Sequence, residues 1–405
     1  MNIPFVTRQA ARAFLLCPET LFCVYVLAAV AVSVQSFLIP PHFCGNYEYT
    51  DYNNYIIFRQ SFAHLIDGKN LYDLYPAEHW DGFKYSPSFA MAMGVARYLP
   101  DITGLCAWNL LNALALFAAI WLLPFRKDTR LLVLWFVLPE LITCLQNAQS
   151  NGLVAGLIIA AFGCMERGKA TIATLCIIGA MFIKIYGAVA LCLFLFYPGK
   201  MKFTFAAIFW TVIICGMPLF VTPPHTLLWQ YNNWVHTLLQ DHSLNYGLSV
   251  MGCLHVWFAI SSGKGIVNVI GIALFLLPFT RTKLYCDPLY KSLALASMLI
   301  WVVIFSHMAE SPTYIIAVSG VGIWYFSRSG HRHTLWRGIL LASVFVFTCL
   351  SPTDIVPPFV RLNFFVPYSI KAIPCILVWC IIWIEQMTMK KTFTEVGQTS
   401  APLVA

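Results

Sequence analysis

Residues 21–40 have the sequence LFCVYVLAAVAVSVQSFLIP and contain no charged side chain. An α-helix needs about 20 consecutive apolar residues to cross the hydrocarbon core of a bilayer. The stretch is too long for the core of a secretory signal peptide, and no obvious cleavage site follows it. It therefore predicts a first transmembrane helix that is retained.

Similar stretches recur along the chain and predict an all-α polytopic membrane protein with about 12 transmembrane helices. The apolar runs are 20–40, 103–124, 131–148, 151–165, 170–185, 187–198, 203–222, 265–280, 290–308, 313–327, 335–351 and 370–388. Several are shorter than a full span, which is tolerated where other helices bury the backbone. A thirteenth run, 86–99, is shorter, and we expect it to lie along the membrane surface. No repeat or detachable soluble domain is visible, so we expect a single domain, 1–405.

The composition excludes other classes of protein. Hydrophobic residues make up 60% of the chain and charged residues only 10%, whereas a soluble protein carries roughly 25% charged residues. High hydrophobicity also excludes intrinsic disorder. The net charge of +8 could suggest a nucleic-acid partner, but the basic residues lie in short loops between apolar runs. We therefore expect membrane lipids, and no nucleic acid, as partners.

The positive-inside rule orients the chain, because basic residues concentrate in cytoplasmic loops. If both termini are cytoplasmic and 86–99 does not span, 17 of the 25 lysines and arginines fall inside. These are Arg8, Arg12, Arg126, Lys127, Arg130, Arg167, Lys169, Lys200, Lys202, Arg281, Lys283, Lys291, Arg328, Arg332, Arg337, Lys390 and Lys391. The expected location is a plasma membrane, with the outer segments 41–102, 223–264, 309–312 and 352–369.

The first outer segment, 41–102, holds seven of the 17 acidic residues. Within it, Tyr55, Phe58, Phe62 and Leu65 recur three or four residues apart, which predicts an amphipathic helix over 52–67. We expect this helix and the one over 86–99 to lie on the outer leaflet.

Asp51 precedes the first of these helices and is surrounded by tyrosines, among them Tyr52 and Tyr55. A carboxylate at a membrane boundary can act as a general base toward a hydroxyl group. The alternative is that Asp51 only caps the N-terminus of the helix, a position that aspartate favours. Position alone favours the cap, and the two roles are compatible.

An ordered set of short motifs resembles glycosyltransferase family 87, the polyprenol-phosphate-mannose-dependent mannosyltransferases of the GT-C superfamily. The motifs are Asp51 with Tyr52 and Tyr55, Leu71-Tyr72-Asp73, Phe83-Lys84-Tyr85-Ser86-Pro87, Gln149-Ser150-Asn151, Ile183-Lys184-Ile185 and Asn245-Tyr246-Gly247-Leu248. Three positions depart from the family pattern. Ser86 replaces a proline, Ala148 replaces a glycine, and the stretch around His307 has a single histidine followed by Glu310.

The resemblance implies a GT-C-type helix bundle and an inverting transfer of a hexose, mannose by analogy, from a polyprenyl-phosphate donor to a lipid or glycan acceptor outside the cell. Asp51 would be the general base, and Lys184, His307 and Arg361 would hold the donor phosphate. Sugar or acceptor contacts would come from Tyr52, Tyr55, Lys84, Tyr85, Gln149, Asn151, Asn245 and Glu310. The sequence contains no Gly-rich nucleotide loop, and we expect neither a cofactor nor a metal.

Structural roles compete with several of these assignments. Lys184 could snorkel toward the interface, Gln149 and Asn151 could cap helices, and the tyrosines could form an interfacial belt. Glu140, within an apolar run, is more simply explained by a contact inside the bundle than by function. At the level of the whole protein, a transporter or lipid flippase is the main rival, although such proteins often show inverted repeats. A lipid-linked glycan ligase or polymerase is the second rival.

Overall fold

The computed structural model describes residues 16–240, 246–328 and 334–390. Asn245 lies outside the described residues, as do four of the basic residues used to predict the topology, Arg8, Arg12, Arg332 and Lys391.

The described chain is almost entirely helical, which confirms the all-α prediction. The helices are α1 (Pro18–Leu38), α2 (Asn53–Ile66), α3 (Pro87–Ala92), α4 (Gly94–Arg97), α5 (Asp101–Trp121), α6 (Lys127–Gln146), α7 (Asn151–Glu166), α8 (Ala170–Ile183), α9 (Lys200–Gly216), α10 (Pro224–Gln240), α11 (Val250–Phe258), α12 (Lys264–Leu276), α13 (Pro288–Ile304), α14 (Tyr314–Phe326), α15 (Leu335–Val344), α16 (Pro358–Val360) and α17 (Ile373–Thr388). A short hairpin of β1 (His42–Cys44) and β2 (Tyr47–Tyr49) accompanies them.

Shorter 3₁₀ and π turns join or extend these helices. The 3₁₀ segments are Ile185–Phe196, Met217–Phe220, Leu277–Thr280, Thr282–Leu284, Ser311–Thr313 and Ile370–Ala372, and the π segments are Phe345–Leu350 and Arg361–Phe365. Each of the twelve apolar runs is thus helical over most of its length. By length and composition, four helices of the described chain could cross a membrane: Pro18–Leu38, Asp101–Trp121, Lys200–Phe220 and Ile370–Thr388. The count of twelve crossings stays a prediction.

Small residues allow the central helices to pack closely. A Cβ atom added at Gly156 in α7 would lie 2.9 Å from the backbone carbon of Ala115 in α5. One added at Gly163, two turns further along α7, would lie 2.8 Å from the carbonyl oxygen of Leu122. Small residues of this kind let helix backbones approach each other where lipid removes the hydrophobic driving force. The α5–α7 contact in turn fixes the loop before α7, which carries part of the site.

The predicted outer segment 41–102 supplies most of a second, smaller core. The predicted helix is present as α2, and the stretch 86–99 forms two short helices, α3 and α4, that meet at Met93. The apolar face of α2 packs on protein, with Tyr55, Phe58 and Leu65 essentially inaccessible. Tyr52 occupies the N-cap position of α2, so Asp51 stands one residue before the cap.

Replacing Gly156 by alanine should destabilise the protein, although alanine is the better helix former. The added methyl group meets backbone atoms of α5 that cannot rotate away, and overpacking of this kind costs about 1–3 kcal/mol. The thermal midpoint in detergent should therefore fall. Gly265→Ala in α12 is the matched control because its Cβ would meet no atom within 4 Å. Equal midpoints for the two variants would contradict the tight α5–α7 contact.

Candidate active site

The centre of the candidate site is a polar cluster formed by three separate stretches of sequence. The ammonium Nζ of Lys184 donates a hydrogen bond to Asn151 Oδ1 at 2.8 Å. The hydroxyl of Tyr186 donates to the same oxygen at 3.2 Å. Lys184 Nζ also lies 5.7 Å from the ring centroid of Tyr85 and 5.9 Å from that of Tyr186, distances at which an aromatic face attracts a cation.

Tyr85 connects this cation to the loop before α7. Its hydroxyl donates to Gln149 Oε1 at 3.4 Å and accepts from Ser150 Oγ at 3.3 Å. The motifs around Tyr85, Gln149 and Lys184 lie far apart in the sequence, and the fold brings them into direct contact. The polar cluster, as we name it, therefore comprises Tyr85, Gln149, Ser150, Asn151, Lys184 and Tyr186.

Ser86 fixes the position of Tyr85 and explains one departure from the family pattern. The Ser86 hydroxyl accepts a hydrogen bond from Phe89 N at 3.2 Å, which caps α3, and donates to Phe182 O at 2.6 Å. The cap thereby joins the start of α3 to the last turn of α8, directly before Lys184. At Lys184 the backbone becomes extended, with φ −138° and ψ 122°, and this ends α8.

The backbone of the loop before α7 bears on the second departure from the family pattern, which is Ala148 in place of a glycine. Ala148 has a φ of 47°, in the left-handed region where glycine has no steric penalty and other residues do. A glycine at this position in the family therefore suits the backbone. Two side chains of α5 hold this loop and the first turn of α7. Trp108 Nε1 donates to Ala148 O at 2.8 Å, and Asn112 Oδ1 accepts from Leu153 N at 2.8 Å.

Asn151 retains an unused donor. Its Oδ1 accepts two hydrogen bonds, while its Nδ2 is buried and has no partner among the described residues. Buried amide donors are normally paired. An anionic oxygen placed beside Lys184 would satisfy this group and the remaining protons of the ammonium at the same time.

An apolar cavity of about 350 Å³ lies between α2, α3, α4, α5, α7, α8 and α9. No member of the polar cluster lines it, but Ile183, directly before Lys184, and Ser88, three residues after Tyr85, lie on its wall. Its remaining lining includes Phe89, Met93, Leu99, Trp108, Leu111, Phe182, Ile214 and Met217. An apolar cavity of this kind suits an apolar ligand such as a lipid chain.

Glu310 and Lys84 lie near the polar cluster without belonging to its hydrogen bonds. The carboxylate of Glu310 is within electrostatic range of Lys184, Tyr85 and Tyr186, and Lys84 is within range of Lys184. The carbonyl of Lys84 accepts from Trp234 Nε1 at 3.3 Å. Both residues therefore lie near the polar cluster, and their sugar or acceptor contacts stay predictions.

Asp51 lies at the edge of the second core, between β2 and α2. Its Oδ1 is 3.9 Å from His42 Nε2, and about a third of its side chain is exposed. The adjoining helix reaches the loop before α7, because Asn54 Nδ2 donates to Asn147 O at 2.9 Å. Among the described residues, no contact joins Asp51 to the polar cluster. The assignment of Asp51 as general base stays a prediction.

Tyr52 and Tyr55 lie in the second core instead of the polar cluster. Tyr52 stacks on Phe37 with ring centroids 5.9 Å apart. Tyr55 lines the apolar cavity. Gly104 packs against its hydroxyl, and a Cβ atom at Gly104 would overlap that oxygen. Burial raises the pKa of Tyr55 to about 12, so this hydroxyl stays protonated at neutral pH.

His307 lies just before the predicted outer segment 309–312, and Arg361 lies on the predicted outer segment 352–369. The carbonyl of His307 packs against Gly247, whose φ is 60° and where a Cβ would lie 2.5 Å from that oxygen. Arg361 donates to Pro352 O at 3.2 Å and pairs with Asp354 at 3.1 Å, within its own segment. The described structure therefore does not bring Arg361 to Lys184.

Sequence reasoning missed Ser150, Tyr186 and Asn112. Tyr186 follows Lys184 by two residues, at the start of the 3₁₀ segment Ile185–Phe196, and its closeness in sequence was a usable signal. Asn112 gave no comparable signal, because its role depends on a contact between α5 and α7. Among the described residues, no cluster of three or more His, Cys, Asp or Glu side chains could hold a metal ion.

The fold and the polar cluster define a helical membrane protein with a cationic site and a separate apolar cavity. The sequence matches the model of glycosyltransferase family 87 over residues 83–352, well over half of the chain, and the protein belongs to this family. It is therefore a membrane glycosyltransferase, with a sugar donor and an acceptor, and the transporter alternative is disfavoured. No curated protein matches the sequence closely enough to count as a relative.

The matched residues include the whole polar cluster, His307 and Glu310 but exclude Asp51, Tyr52, Tyr55 and Arg361.

Asn151→Leu should leave the Lys184 ammonium without its closest acceptor. Loss of a hydrogen bond to a charged group costs about 1.5–3 kcal/mol, so the thermal midpoint should fall and kcat/KM should drop at least tenfold. Tyr186→Phe is the graded comparison, because it removes only the 3.2 Å bond to Asn151 and leaves the lysine contact intact. A larger kinetic loss in Tyr186→Phe than in Asn151→Leu would contradict the expectation that the Lys184–Asn151 contact matters more than the Tyr186–Asn151 contact.

Proposed function

We propose that the protein transfers a hexose, mannose by family analogy, from a polyprenyl-phosphate donor to a lipid or glycan acceptor on the outer face of the plasma membrane. The observation that carries the proposal is the hydrogen bond of Lys184 to Asn151, whose buried Nδ2 has no partner among the described residues, next in sequence to Ile183 on the wall of the apolar cavity. The cavity would take the part of the polyprenyl chain nearest the phosphate, and Lys184 would neutralise the phosphate itself.

A donor with a single phosphate group suits this site better than a diphosphate. Lys184 is the cation inside the polar cluster, and a lysine ammonium acts on phosphate as a point charge. Lys84 adds positive charge nearby, and the buried Nδ2 of Asn151 supplies a neutral donor. A lipid-diphosphate donor, as a glycan ligase or polymerase would use, calls for more cations around the leaving group than this cluster has.

The reaction is a single displacement. The acceptor oxygen attacks the anomeric carbon, the bond from that carbon to the phosphate oxygen breaks, and the polyprenyl phosphate leaves with the bonding electrons. The acceptor proton passes to a carboxylate, which we assign to Asp51. Attack opposite the leaving group inverts the anomeric centre, so a β-linked donor gives an α-glycoside. One carboxylate suffices for this pathway, and neither a metal nor a cofactor is part of the proposal.

Purified enzyme in liposomes should form a glycosidic product when offered the correct member of a panel of polyprenyl-phosphate hexoses. Mass analysis of lipids and glycans identifies the sugar, the acceptor and the linkage. Movement of substrate across the membrane without a new glycosidic bond would contradict the proposed activity.

Lys184→Met should raise the KM for the donor by one to two orders of magnitude, because it removes a charge-assisted contact worth about 1.5–3 kcal/mol. Lys202→Met is the control, since Lys202 is exposed on α9 and does not belong to the polar cluster. The variants are compared by initial rates over a range of donor concentrations. An unchanged donor KM in Lys184→Met would remove Lys184 from the phosphate site.

Asp51→Asn should lower kcat by a factor on the order of 10²–10⁴ while the protein stays folded, because the amide cannot accept the acceptor proton. Asp67→Asn is the control on the same outer segment, where Asp67 forms an exposed ion pair with Lys69 at 3.5 Å. If Asp51→Asn retains transfer and Glu310→Gln abolishes it, the base is Glu310 and the Asp51 assignment is wrong.

A further inference from the structure

A buried ion pair joins the middle of the bundle to the outer side. Glu140 in α6 is fully buried, and its Oε1 accepts a hydrogen bond from Lys371 Nζ at 2.8 Å. Lys371 lies in the 3₁₀ turn before α17 and is 4% exposed. The second carboxylate oxygen of Glu140 has no hydrogen-bond partner among the described residues. Because buried charges are costly unless fully compensated, stability alone gives a weak reason for this pair.

Lys371 makes a second contact, to the turn that carries Glu310. Its Nζ donates to Ser311 Oγ at 3.0 Å and lies 5.4 Å from the ring centroid of Tyr314. Ser311 follows Glu310 directly, and the turn is closed by a hydrogen bond from Glu310 N to Thr313 Oγ1 at 3.4 Å. One ammonium group thus connects the rigid α6 to the residue next to Glu310.

Other outer segments meet at the same place. Tyr314 donates its hydroxyl proton to Leu248 O at 2.7 Å, and Leu248 N donates to Ala309 O at 2.8 Å. Thr348 Oγ1 donates to the carbonyl of Lys371 itself at 2.9 Å. The ion pair therefore lies where the stretches that carry Leu248, Glu310 and Lys371 meet.

We propose that Glu140 and Lys371 are positioning residues, which hold Ser311 and thereby keep the Glu310 carboxylate facing the sugar beside Lys184. The inference rests on the proposed function, because it assigns Glu310 to a substrate contact. Displacement of a substrate-positioning group by about 1 Å can cost up to 10²-fold in rate. The pair acts only through Ser311 and Glu310 and does not touch the substrate.

Ser311→Ala tests this connection with the least disturbance, because it removes one hydroxyl and leaves the ion pair in place. We expect kcat/KM to fall on the order of tenfold, and the thermal midpoint to fall as well because a hydrogen bond to a buried ammonium group is lost. Ser343→Ala is the matched control, since its hydroxyl bonds only to Leu340 O in its own helix. In a Glu310→Gln background, Ser311→Ala should cause no further loss, because residues that act as a unit give non-additive effects.

The double variant Glu140→Leu with Lys371→Met separates positioning from stability. Replacing a buried ion pair by apolar residues is often neutral or stabilising, so the variant should keep its thermal midpoint yet show the kinetic loss of Ser311→Ala. The single variant Lys371→Arg keeps a cation and hydrogen-bond donors at this position. It should therefore be more active than the double variant. Any one of three results would overturn the proposal. These are wild-type kinetics in Ser311→Ala, additive losses in the Glu310→Gln background, and full activity in the double variant.

The outcomes also separate this proposal from the proposed function. Normal kinetics in Ser311→Ala together with the expected donor defect in Lys184→Met would overturn the positioning role alone. If the wild-type enzyme uses none of the polyprenyl-phosphate hexoses, the donor assignment fails. The Ser311→Ala and Glu310→Gln variants, single and combined, are then compared with the donor that the enzyme does use.

Discussion

The hydrogen bond between the ammonium of Lys184 and Asn151 Oδ1 is the interaction on which the site depends. An ionised lysine beside an apolar cavity needs an acceptor and a counter-charge. Asn151 supplies the acceptor at 2.8 Å, and Glu310 supplies negative charge from a distance. The acceptor is neutral, so the lysine keeps most of its capacity to bind an anion. A carboxylate in the place of Asn151 would have neutralised it.

The rest of the fold brings these two side chains together. Asn151 begins α7, whose position is set by the glycine contacts with α5 and by Asn112. Lys184 ends α8, whose last turn is held by Ser86 at the start of α3. The same four helices, with α2, α4 and α9, line the apolar cavity. The cation and the lipid-compatible space are therefore products of one packing arrangement, and a change in either would alter the other.

The sequence predicted the helices well, because long apolar runs are local signals. It also predicted Tyr85, Gln149, Asn151 and Lys184 as parts of one site, through a resemblance that the family match now supports. It could not predict their mutual distances, or the parts of Ser150 and Tyr186, since these follow from contacts between distant stretches. Glu140 was interpreted as a contact inside the bundle, and its pairing with Lys371 agrees with that.

A structure of the enzyme with a bound polyprenyl-phosphate hexose, determined by electron cryo-microscopy, tests the central claim most directly. The account predicts phosphate oxygens within hydrogen-bond distance of Lys184 Nζ and Asn151 Nδ2, and the first isoprene units in the cavity between α3, α5 and α8. A phosphate bound elsewhere on the outer face, with Lys184 still joined only to protein groups, would contradict it.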